Sequence, residues 1–307
     1  MKKVLIICGP TASGKTSLAI ECAKLLNTEI ISADSLYIYK DLNIGTAKPT
    51  LEEREGIIHH LIDVCSPTDT FTVSQFKELA EPVIKSLHER GKIPIICGGT
   101  GFYINSLIYD LSYGKGEGNI EVRDKYKKLA KDFGNNYVYD ILMKVDKESA
   151  KKLHPNDVKR VIRALEIYES GNKKSDIKDD LTPKYDYKAF TINFPRETLY
   201  ERINKRVKIM FDMGILDEVK ALMDKGITID NQCLQGIGYK EIYAYFNNEL
   251  TLEEAKELIK LNTRHYAKRQ ITFFKKLENL IYLTPDSAKN LAKYIVETLW
   301  LTLIPLI

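Results

Sequence analysis

The distribution of apolar and polar positions divides the start of the chain into short strands and longer helices. Three compact apolar runs, at residues 3–8, 29–34 and 92–97, contain the β-branched residues that are typical of buried strands. After the first of them, residues 16–26 repeat their apolar positions at helical spacing. Buried strands that alternate with helices predict an α/β fold, in which helices cover both faces of a parallel sheet.

The predicted sheet also indicates where a ligand binds. In open parallel sheets, ligands gather outside the carboxyl ends of the strands. The glycine-rich segment Gly9–Thr16 follows the first strand, Asp34 ends the second, and Thr100 follows the third. We therefore expect these three features at the same edge of the sheet.

The composition of the chain changes near its middle. From 113 to 187, helical stretches rich in lysine and aspartate lie between charged loops, which predicts an inserted helical lobe. The flanking segments, 1–112 and 188–307, are expected to form the α/β core. We expect one further strand at 189–194 and only helices after it. One of those helices, at 250–277, is strongly basic in its second half, with aromatic residues between the cations.

Composition indicates a globular protein and sets few further limits. The 307 residues are 44% hydrophobic and 29% charged, with a formal net charge of +4, which is ordinary for a globular chain. Five scattered cysteines without a C-x-x-C pair predict buried thiols in a cytoplasmic protein, and neither a zinc site nor disulfides. The apolar N-terminal run is too short for a signal peptide. The apolar end at 299–307 has about half of the roughly 20 residues that a membrane helix needs, so we expect it to pack on the body or on a partner.

The strongest chemical signal is the stretch "GPTASGKT". It has the Gly-x-x-x-x-Gly-Lys-Thr spacing of a phosphate-binding loop, and it lies between a predicted strand and a predicted helix. Backbone amides, the helix N-terminus and the Lys15 ammonium would bind phosphate, and the Thr16 hydroxyl would bind Mg²⁺. A kinase, an NTPase and a transferase that releases pyrophosphate are all compatible with such a P-loop NTPase-like sheet. The residues predicted to bind the phosphates are Gly9, Pro10, Thr11, Ala12, Ser13, Gly14, Lys15 and Thr16.

Asp34 and Thr100 are the next candidates. Asp34 could serve as a general base, a magnesium ligand or a helix N-cap. The "GGTG" segment at 98–101 could bring the Thr100 hydroxyl close to a ligand, or it could form a plain strand-to-helix turn. Arg202 and Arg206 lie four residues apart on one helical face, so either could pair with a carboxylate or bind an anion beside the loop.

Basic residues on two helices suggest nucleic acid as a partner, although less specifically. Lys159, Arg160 and Arg163 lie on an otherwise apolar helix, where such charges either face solvent or contact phosphates. The basic helix at 250–277 favours the second interpretation, because cations interleaved with aromatic side chains are typical of single-strand binding.

Eight motifs together resemble one known family. In chain order they are "GPTASGKT", "SADSLYIYKDLNIGTAKP", "HHLIDV", "GGTGFYINSL", "HPNDVKRVIRALEIYE", "ERINKRVKIMFDMGILDEV", "IGYKE" and "TRHYAKRQITFF". Their order is similar to that in the bacterial tRNA dimethylallyltransferases, and they cover nearly the whole chain. The glycine loop occurs in many families, whereas several of the other motifs are specific to this one.

The resemblance implies an activity. Members of that family transfer a dimethylallyl group from dimethylallyl diphosphate to the exocyclic amine of the adenine 3′-adjacent to a tRNA anticodon, and they release pyrophosphate. By resemblance, Asp34 corresponds to the base that orients and deprotonates the amine, and Thr100 to a hydroxyl near the bridging oxygen of the donor. Lys15 and Thr16 correspond to the diphosphate and Mg²⁺ site, and Arg206 to a second anion contact.

The resemblance also implies three segments that contact the tRNA anticodon stem-loop. The target adenine must leave its stack to reach a buried donor, which costs a few kcal/mol, so contacts with the RNA must offset that cost. The residues implied to contact tRNA are Asp34, Ser35, Leu36 and Tyr37; Lys159, Arg160, Val161, Ile162 and Arg163; and Gln235, Gly236, Ile237, Gly238, Tyr239 and Lys240.

The chain departs from the family pattern at one place. The family usually has Asp-Ser-Met-Gln where this chain has Asp34-Ser35-Leu36-Tyr37. An amide that can hydrogen-bond to a base is thereby replaced by a phenol that can stack on one. We expect this change to affect how adenine is recognised, and to leave the loop and Asp34 unaffected.

Other functions remain compatible with the residues alone. A small-metabolite kinase would use the loop for ATP and Asp34 to activate a hydroxyl, but it leaves the basic helices unexplained. An adenylate isopentenyltransferase would use the same donor with a free nucleotide, and a non-catalytic RNA-binding protein would use the loop only as an anion site. The resemblance favours a cytoplasmic, monomeric tRNA-modifying enzyme without membrane contact.

Overall fold

The sheet at the centre of the fold is parallel. The computed structural model describes residues 1–111, 119–177 and 179–301, and within them six strands form one sheet in the order β3-β2-β4-β1-β5-β6. Each neighbouring pair in that order is parallel, which confirms the predicted α/β class. The strands are β1 Lys3–Cys8, β2 Ile30–Ser32, β3 His59–His60, β4 Ile95–Gly98, β5 Asp186–Ile192 and β6 Leu280–Leu283.

Twelve helices lie within the described residues. Two of them, α2 and α11, start at capping boxes, formed by Thr72 with Gln75 and by Thr251 with Glu254. The second of these is the basic helix predicted at 250–277, which is confirmed. The helices are α1 Lys15–Leu26, α2 Val73–Glu89, α3 Gly101–Ile108, α4 Ile120–Phe133, α5 Asn135–Val145, α6 Lys147–Ala150, α7 Val158–Glu169, α8 Arg196–Asp212, α9 Ile215–Asp224, α10 Tyr239–Phe246, α11 Leu252–Phe274 and α12 Ala288–Leu301.

One apolar cluster fixes the position of α1 on the sheet. It contains Leu5 and Ile7 of β1, Leu18 of α1, and Ile295 of α12, all of which are buried. Burying such a side chain completely stabilises the fold by about 1.5–3 kcal/mol. Because β1 and α1 are both held by this cluster, the loop that joins them is held at both ends.

The prediction that only helices follow the fifth strand is wrong. β6 pairs in parallel with β5, with Ala189 opposite Leu280 and Ile192 opposite Leu283. The four residues of β6 are too few to show a hydrophobic period. They form a strand because β5 offers unpaired backbone groups at its side, and the local sequence does not reveal that pairing. The fifth strand itself ends at Ile192, although the apolar run continues to Phe194.

A second compact unit spans Tyr109–Thr182, while Met1–Ile108 and the chain from Pro183 onward form the first. The second unit contains α4 to α7 around its own apolar core, with Val138 and Leu165 completely buried. The sequence pattern predicts 113–187 for this lobe. Both bounds differ in the structure: residues 109–111 also belong to the second unit, and residues 183–187 belong to the first, where Asp186 and Tyr187 pair with β1 as part of β5.

Two expectations concern segments that lie mostly outside the described residues. The first is the charged loop at 114–119. The second is the packing of the apolar end at 299–307, within which Leu299 is described and is buried. Across the described residues, no helix has both the length and the hydrophobicity that crossing a bilayer requires. All five cysteines are buried, as predicted.

Candidate active site

Three adjacent strands bring the predicted chemical groups to one edge of the sheet. β2, β4 and β1 are neighbours in the sheet and run in the same direction. Asp34 follows β2 by two residues, Thr100 follows β4 by two, and the loop Gly9–Thr16 follows β1 directly. The carboxyl ends of parallel strands meet at one edge, and the structure places the three features there, as expected.

The loop Gly9–Thr16 has the backbone of a phosphate cradle. Gly14 is the N-cap of α1 and has a φ of 84°, a left-handed value that glycine adopts without steric cost. Because α1 begins at Lys15, its unpaired amides and the positive end of its dipole face the loop. Ser13 is buried, and its Oγ has no hydrogen-bond partner among the described residues. That hydroxyl is therefore free to donate to a phosphate oxygen.

Lys15 and Arg206 supply positive charge at the loop. Lys15 Nζ donates to the Pro10 carbonyl oxygen at 3.4 Å. Burial lowers the pKa of Lys15, the Asp34 carboxylate raises it, and the Arg206 charge lowers it again. Arg206 Nη2 donates to the Thr46 carbonyl oxygen at 2.7 Å, while its buried Nε has no partner within the described part of the chain. Two close cations, one with an unpaired N–H, fit a polyanion such as a diphosphate.

The sequence leaves the roles of Arg202 and Arg206 open. The structure distinguishes them by their contacts. Arg202 Nε donates to the Ala12 carbonyl oxygen at 2.8 Å, and its guanidinium lies 4.7 Å from the centre of the Phe194 ring. Arg202 therefore supports the backbone of the loop. Arg206 lies close enough to Lys15 to affect its pKa, as expected for a second anion contact.

Asp34 belongs to a turn that faces the loop. Its Oδ1 accepts a hydrogen bond from the Leu36 amide at 3.0 Å, which is the contact of an Asx turn. No helix follows directly, so the interpretation of Asp34 as a helix N-cap is wrong. Its negative charge raises the pKa of Lys15, Tyr37 and Tyr266, which shows that all three side chains lie near the carboxylate.

The Thr100 loop packs directly on the Asp34 segment. Thr100 Oγ1 accepts from the Ser35 amide at 3.0 Å, and the Thr100 amide donates to the Ala33 carbonyl oxygen at 3.1 Å. A Cβ atom at Gly98 would lie 2.1 Å from that same carbonyl oxygen, so glycine is required for the two segments to approach this closely. The "GGTG" segment thus does more than form a turn, because it holds the hydroxyl beside Asp34.

Gln270 on α11 joins the two loops of the site; it lies within the motif "TRHYAKRQITFF", but the sequence assigned it no role. Its Oε1 accepts from the Thr11 amide at 2.9 Å, and its Nε2 donates to the Gly99 carbonyl oxygen at 3.0 Å. The residue is only 5% exposed. The one signal in the sequence is an uncharged polar side chain within the basic half of the helix.

Tyr266 lies one helical turn before Gln270 and also reaches the site. Burial raises its pKa to about 12, the charge of Asp34 adds to that increase, and a hydrogen bond with the Thr100 side chain opposes it. Tyr266 therefore lies against both groups that follow β2 and β4. The sequence indicated an aromatic residue in a basic helix here, and gave no reason to place it at Asp34.

Tyr37, the departure from the family pattern, is fixed by its hydroxyl. The hydroxyl donates to the Ala47 carbonyl oxygen at 2.7 Å. Burial raises the pKa of Tyr37 above its usual value, and Arg206 acts in the opposite direction. Stacking of this phenol on a base stays a prediction, but the ring is already anchored at its polar end.

The segment 235–240 adjoins the Asp34 turn. A Cβ atom at Gly236 would lie 2.7 Å from Cδ1 of Leu36, so the two segments touch. Tyr239 is completely buried, and its hydroxyl donates to Glu218 Oε1 at 2.7 Å. Its side chain is therefore not available to RNA, and contact of the remaining residues with tRNA stays a prediction.

The basic residues of α7 lie in the second unit. Lys159 and Arg160 are exposed, whereas the side chains of Val161 and Ile162 are buried. Arg160 and Arg163 each form an ion pair with an acidic residue three positions away. Any contact that Val161 or Ile162 makes with RNA must involve the backbone, and the role of the three cations stays a prediction.

Thr16 fits the predicted Mg²⁺ site by its chemistry. It follows Lys15 in the first turn of α1, where its hydroxyl adjoins the phosphate cradle. Among the described residues, no group of three or more His, Cys, Asp or Glu is placed to bind a metal. A site next to a diphosphate does not require one, because Mg²⁺ retains several waters and takes further oxygens from phosphates.

The fold and the site define a P-loop-like α/β protein in which a carboxylate and a hydroxyl lie beside the glycine-rich loop. A family model described as IPP transferase matches residues 37–277. The chain is 46% identical over 306 residues to the tRNA dimethylallyltransferase of Acetivibrio thermocellus, covering 96% of this chain and 98% of that protein. It is also 46% identical over 294 residues to the tRNA dimethylallyltransferase of Caldanaerobacter subterraneus, covering 94% and 93%. The chain belongs to the IPP transferase family.

Solved structures agree with this assignment. The full-length tRNA isopentenylpyrophosphate transferase of Bacillus halodurans superposes with a TM-score of 0.72 at 39% identity, covering 97% of both chains. A eukaryotic dimethylallyltransferase, captured acting on tRNA, gives a TM-score of 0.83 at 32% identity, covering 99% of this chain and 81% of that one. Both neighbours support the P-loop-like fold predicted from the sequence.

Proposed function

We propose that this protein is a tRNA dimethylallyltransferase, which transfers a dimethylallyl group from dimethylallyl diphosphate to the exocyclic amine of the adenine 3′-adjacent to the anticodon. Relatives that match nearly the whole chain bear this name. The observation that carries the proposal is the meeting of Asp34, Thr100 and Lys15 at one edge of the sheet. A base, a hydroxyl and an anion site are the groups that alkyl transfer from a diphosphate requires.

In the proposed reaction, the adenine amine attacks the first carbon of the dimethylallyl group, and the bond from that carbon to the diphosphate oxygen breaks. Asp34 accepts the proton that the amine loses. Because a neutral adenine amine is a poor nucleophile, a positioned carboxylate contributes typically about 10²- to 10⁴-fold to the rate. The pyrophosphate leaves with the electron pair of the broken bond.

The leaving group is stabilised by the cations of the cradle. Lys15 and Arg206 bind the pyrophosphate oxygens on which negative charge grows, and the Ser13 hydroxyl donates beside them. The Thr100 hydroxyl donates near the bridging oxygen. When bound, Mg²⁺ neutralises further charge on the phosphates, and Thr16 is its protein ligand in this proposal.

The proposed acceptor is the anticodon stem-loop of tRNA, in the cytoplasm, with one copy of the chain as the active unit. The segments at 34–37 and 235–240 touch at the site, so a base turned out of its stack can contact both. The basic residues of α7 and α11 supply phosphate contacts. Binding through such contacts weakens steeply with salt, because each contact releases counterions.

The two enzymatic alternatives are less well supported than the tRNA enzyme. A small-metabolite kinase and an adenylate isopentenyltransferase would each use the cradle, but the relatives with matching full-length sequences are named as tRNA enzymes. Neither alternative needs the basic second half of α11. ATP and free AMP therefore serve as competing substrates in the test that follows.

The test is an assay of product formation with matched variants. The pure protein is incubated with Mg²⁺, labelled dimethylallyl diphosphate and tRNA, and the digested nucleosides are weighed by mass spectrometry. Asp34→Asn keeps an oxygen for the Leu36 amide and loses the base, so we expect dimethylallyl-adenosine at a rate about 10²- to 10⁴-fold below wild type. Asp186→Asn, at the exposed start of β5 on the opposite edge, should retain the full rate.

Three results would contradict the proposal. The first is an absence of dimethylallyl-adenosine with the wild-type protein, accompanied by phosphate transfer from ATP. The second is prenylation of free AMP in preference to tRNA. The third is an unchanged rate for Asp34→Asn, which would remove the assignment of the base.

A further inference from the structure

An exposed aromatic ring lies beside the reacting groups. Phe102, in the first turn of α3, is 59% exposed, although large apolar side chains are usually buried. It follows Thr100 by two residues, and Thr100 is hydrogen-bonded to the amide next to Asp34. A large aromatic face is thus open to solvent close to the proposed base.

This ring is supported from below by α11. The centroids of Phe102 and Phe273 are 5.5 Å apart, with the rings tilted by 58°. A Cβ atom at Gly101 would lie 2.2 Å from the Phe273 ring, so the start of α3 is packed tightly on that side chain. The pair is therefore held in one arrangement before any substrate binds, which lowers the entropic cost of stacking on it.

Positive charge borders the aromatic pair. Arg269 lies four residues before Phe273, one helical turn away on α11. Lys276 lies in the turn that follows the helix, where its amide donates to the Phe273 carbonyl oxygen at 3.1 Å. Both cations are exposed, and within the described residues neither forms an ion pair with a carboxylate. Aromatic faces bordered by cations are the surface on which single-stranded nucleic acids stack their bases.

We propose that Phe102, supported by Phe273, is the platform on which the nucleobase adjoining the target adenine stacks. The proposal rests on the tRNA acceptor proposed above. When one base leaves a stacked loop, its neighbour loses a stacking partner, and an exposed ring next to the reaction centre replaces it. The exposed patch consists of one phenyl ring bordered by Arg269 and Lys276. It is too small and too positively charged to be a docking site for an apolar protein surface.

The test separates stacking from charge and from folding. An anticodon stem-loop with 2-aminopurine on either side of the target adenine reports stacking as fluorescence quenching. We expect quenching at one of these positions on the wild-type protein, and its loss with Phe102→Ala. Affinity for the stem-loop should fall by about 5- to 150-fold, the range that single stacking contacts give. The KM for dimethylallyl diphosphate should not change, and Phe102→Trp should restore affinity where Phe102→Leu does not.

Two controls keep the result interpretable. Leu25→Ala removes a side chain that is 51% exposed, at the far end of α1, about 15 Å along the helix from Lys15, and it should bind like wild type. Phe102→Ala should leave the salt slope of binding unchanged because it removes no charge, whereas Lys276→Ala should lower it by about 1.

Specific results would overturn the platform. They are wild-type affinity of Phe102→Ala, equal affinities of the Leu and Trp variants, or the absence of quenching at both positions on the wild-type protein. Failure of the acceptor assignment is distinguishable, because the wild-type protein would then form no dimethylallyl-adenosine in tRNA.

Discussion

Gln270 couples the phosphate cradle to the Thr100 loop through one amide group. Its oxygen accepts from Thr11 and its nitrogen donates to Gly99. The side chain at this position must both accept one hydrogen bond and donate another to hold the two loops at a fixed spacing. The spacing between the Gly9–Thr16 loop and the Thr100 loop therefore depends on a side chain that belongs to neither of them.

Gln270→Glu should make activity depend on pH in a way that the wild type does not. A carboxylate still accepts from Thr11, but it cannot donate to the Gly99 carbonyl oxygen and repels it. Losing one buried hydrogen bond in this way corresponds to a roughly 10- to 100-fold decrease in kcat/KM at neutral pH. Acidification protonates the new side chain and restores the donor, so the ratio of variant to wild-type activity should rise as pH falls.

The measurement is kcat/KM across the pH range for three variants. Gln270→Leu should be impaired by a similar amount with no recovery at low pH. Glu257→Gln, an exposed position on the same helix, should match wild type throughout. A Gln270→Leu variant with wild-type activity would show that the bridge has no role in positioning.

The chemistry at the sheet edge was predictable, while its supports were not. Lys15 and Thr16 carry a motif with its own mechanism, and Asp34 and Thr100 end strands whose apolar runs are evident. Gln270 is far from all of these in sequence. It lies within the motif "TRHYAKRQITFF", but only folding shows which face of a long basic helix turns inward, so the motif alone does not reveal that this side chain joins the two loops.

At the scale of elements, α9 braces the turn at residues 43–46, which lies after the Asp34 segment in the chain and contacts Arg206. Glu218, in its first turn, accepts from the backbone amides of Asn43, Ile44 and Gly45 at 2.8, 2.8 and 3.0 Å. It also accepts from the buried Tyr239 hydroxyl. The next residue of the turn, Thr46, provides the carbonyl oxygen that accepts a hydrogen bond from Arg206, so the brace extends to that guanidinium.

Glu218→Ala should destabilise the fold by about 3 kcal/mol, because it leaves several donors without an acceptor. Urea unfolding measures this loss. Since the turn also orients Arg206, the KM for dimethylallyl diphosphate should increase as well. Glu253→Ala, which removes only an exposed ion pair with Lys256, should cost less than about 1 kcal/mol. Equal stabilities of the two variants would contradict the brace.

The long elements were predictable and the short ones were not. Helix α11 and strand β1 show their period within the segment itself. β3 and β6 have two and four residues, and each is a strand because a neighbour offers unpaired backbone groups. Their existence is a property of the sheet, so sequence-based prediction assigned the chain after residue 194 to helices alone.

At the scale of the whole molecule, the carboxyl and amino ends of the parallel strands form two edges of the sheet with different roles. The carboxyl edge carries the candidate active site. At the amino edge, Glu29 accepts hydrogen bonds from Arg90 and from His60, at 2.6 and 2.7 Å, and Lys92 lies 3.8 Å away. This cluster joins the start of β2 to β3, to the end of α2 and to the segment before β4.

The amino-edge cluster should make stability, but not catalysis, sensitive to acid. The hydrogen bond from Arg90 is the main reason that the pKa of Glu29 falls from about 4.5 to about 2, with His60 acting in the same direction and burial opposing it. Because folding lowers this pKa, the carboxylate stabilises the fold above about pH 4.5, by about 3 kcal/mol. That stabilisation is lost as pH falls from 4.5 towards 2.

Urea unfolding of wild type and Glu29→Gln at several pH values tests this. The wild type should be more stable at pH 7, and the difference should shrink below pH 4.5 as Glu29 takes up its proton. Glu89→Gln, an exposed position at the end of α2, should follow the wild-type curve. Activity per folded molecule should be the same in all three proteins, because the cluster lies at the edge opposite Asp34 and the cradle. A constant difference at every pH would show that Glu29 acts by packing rather than by charge.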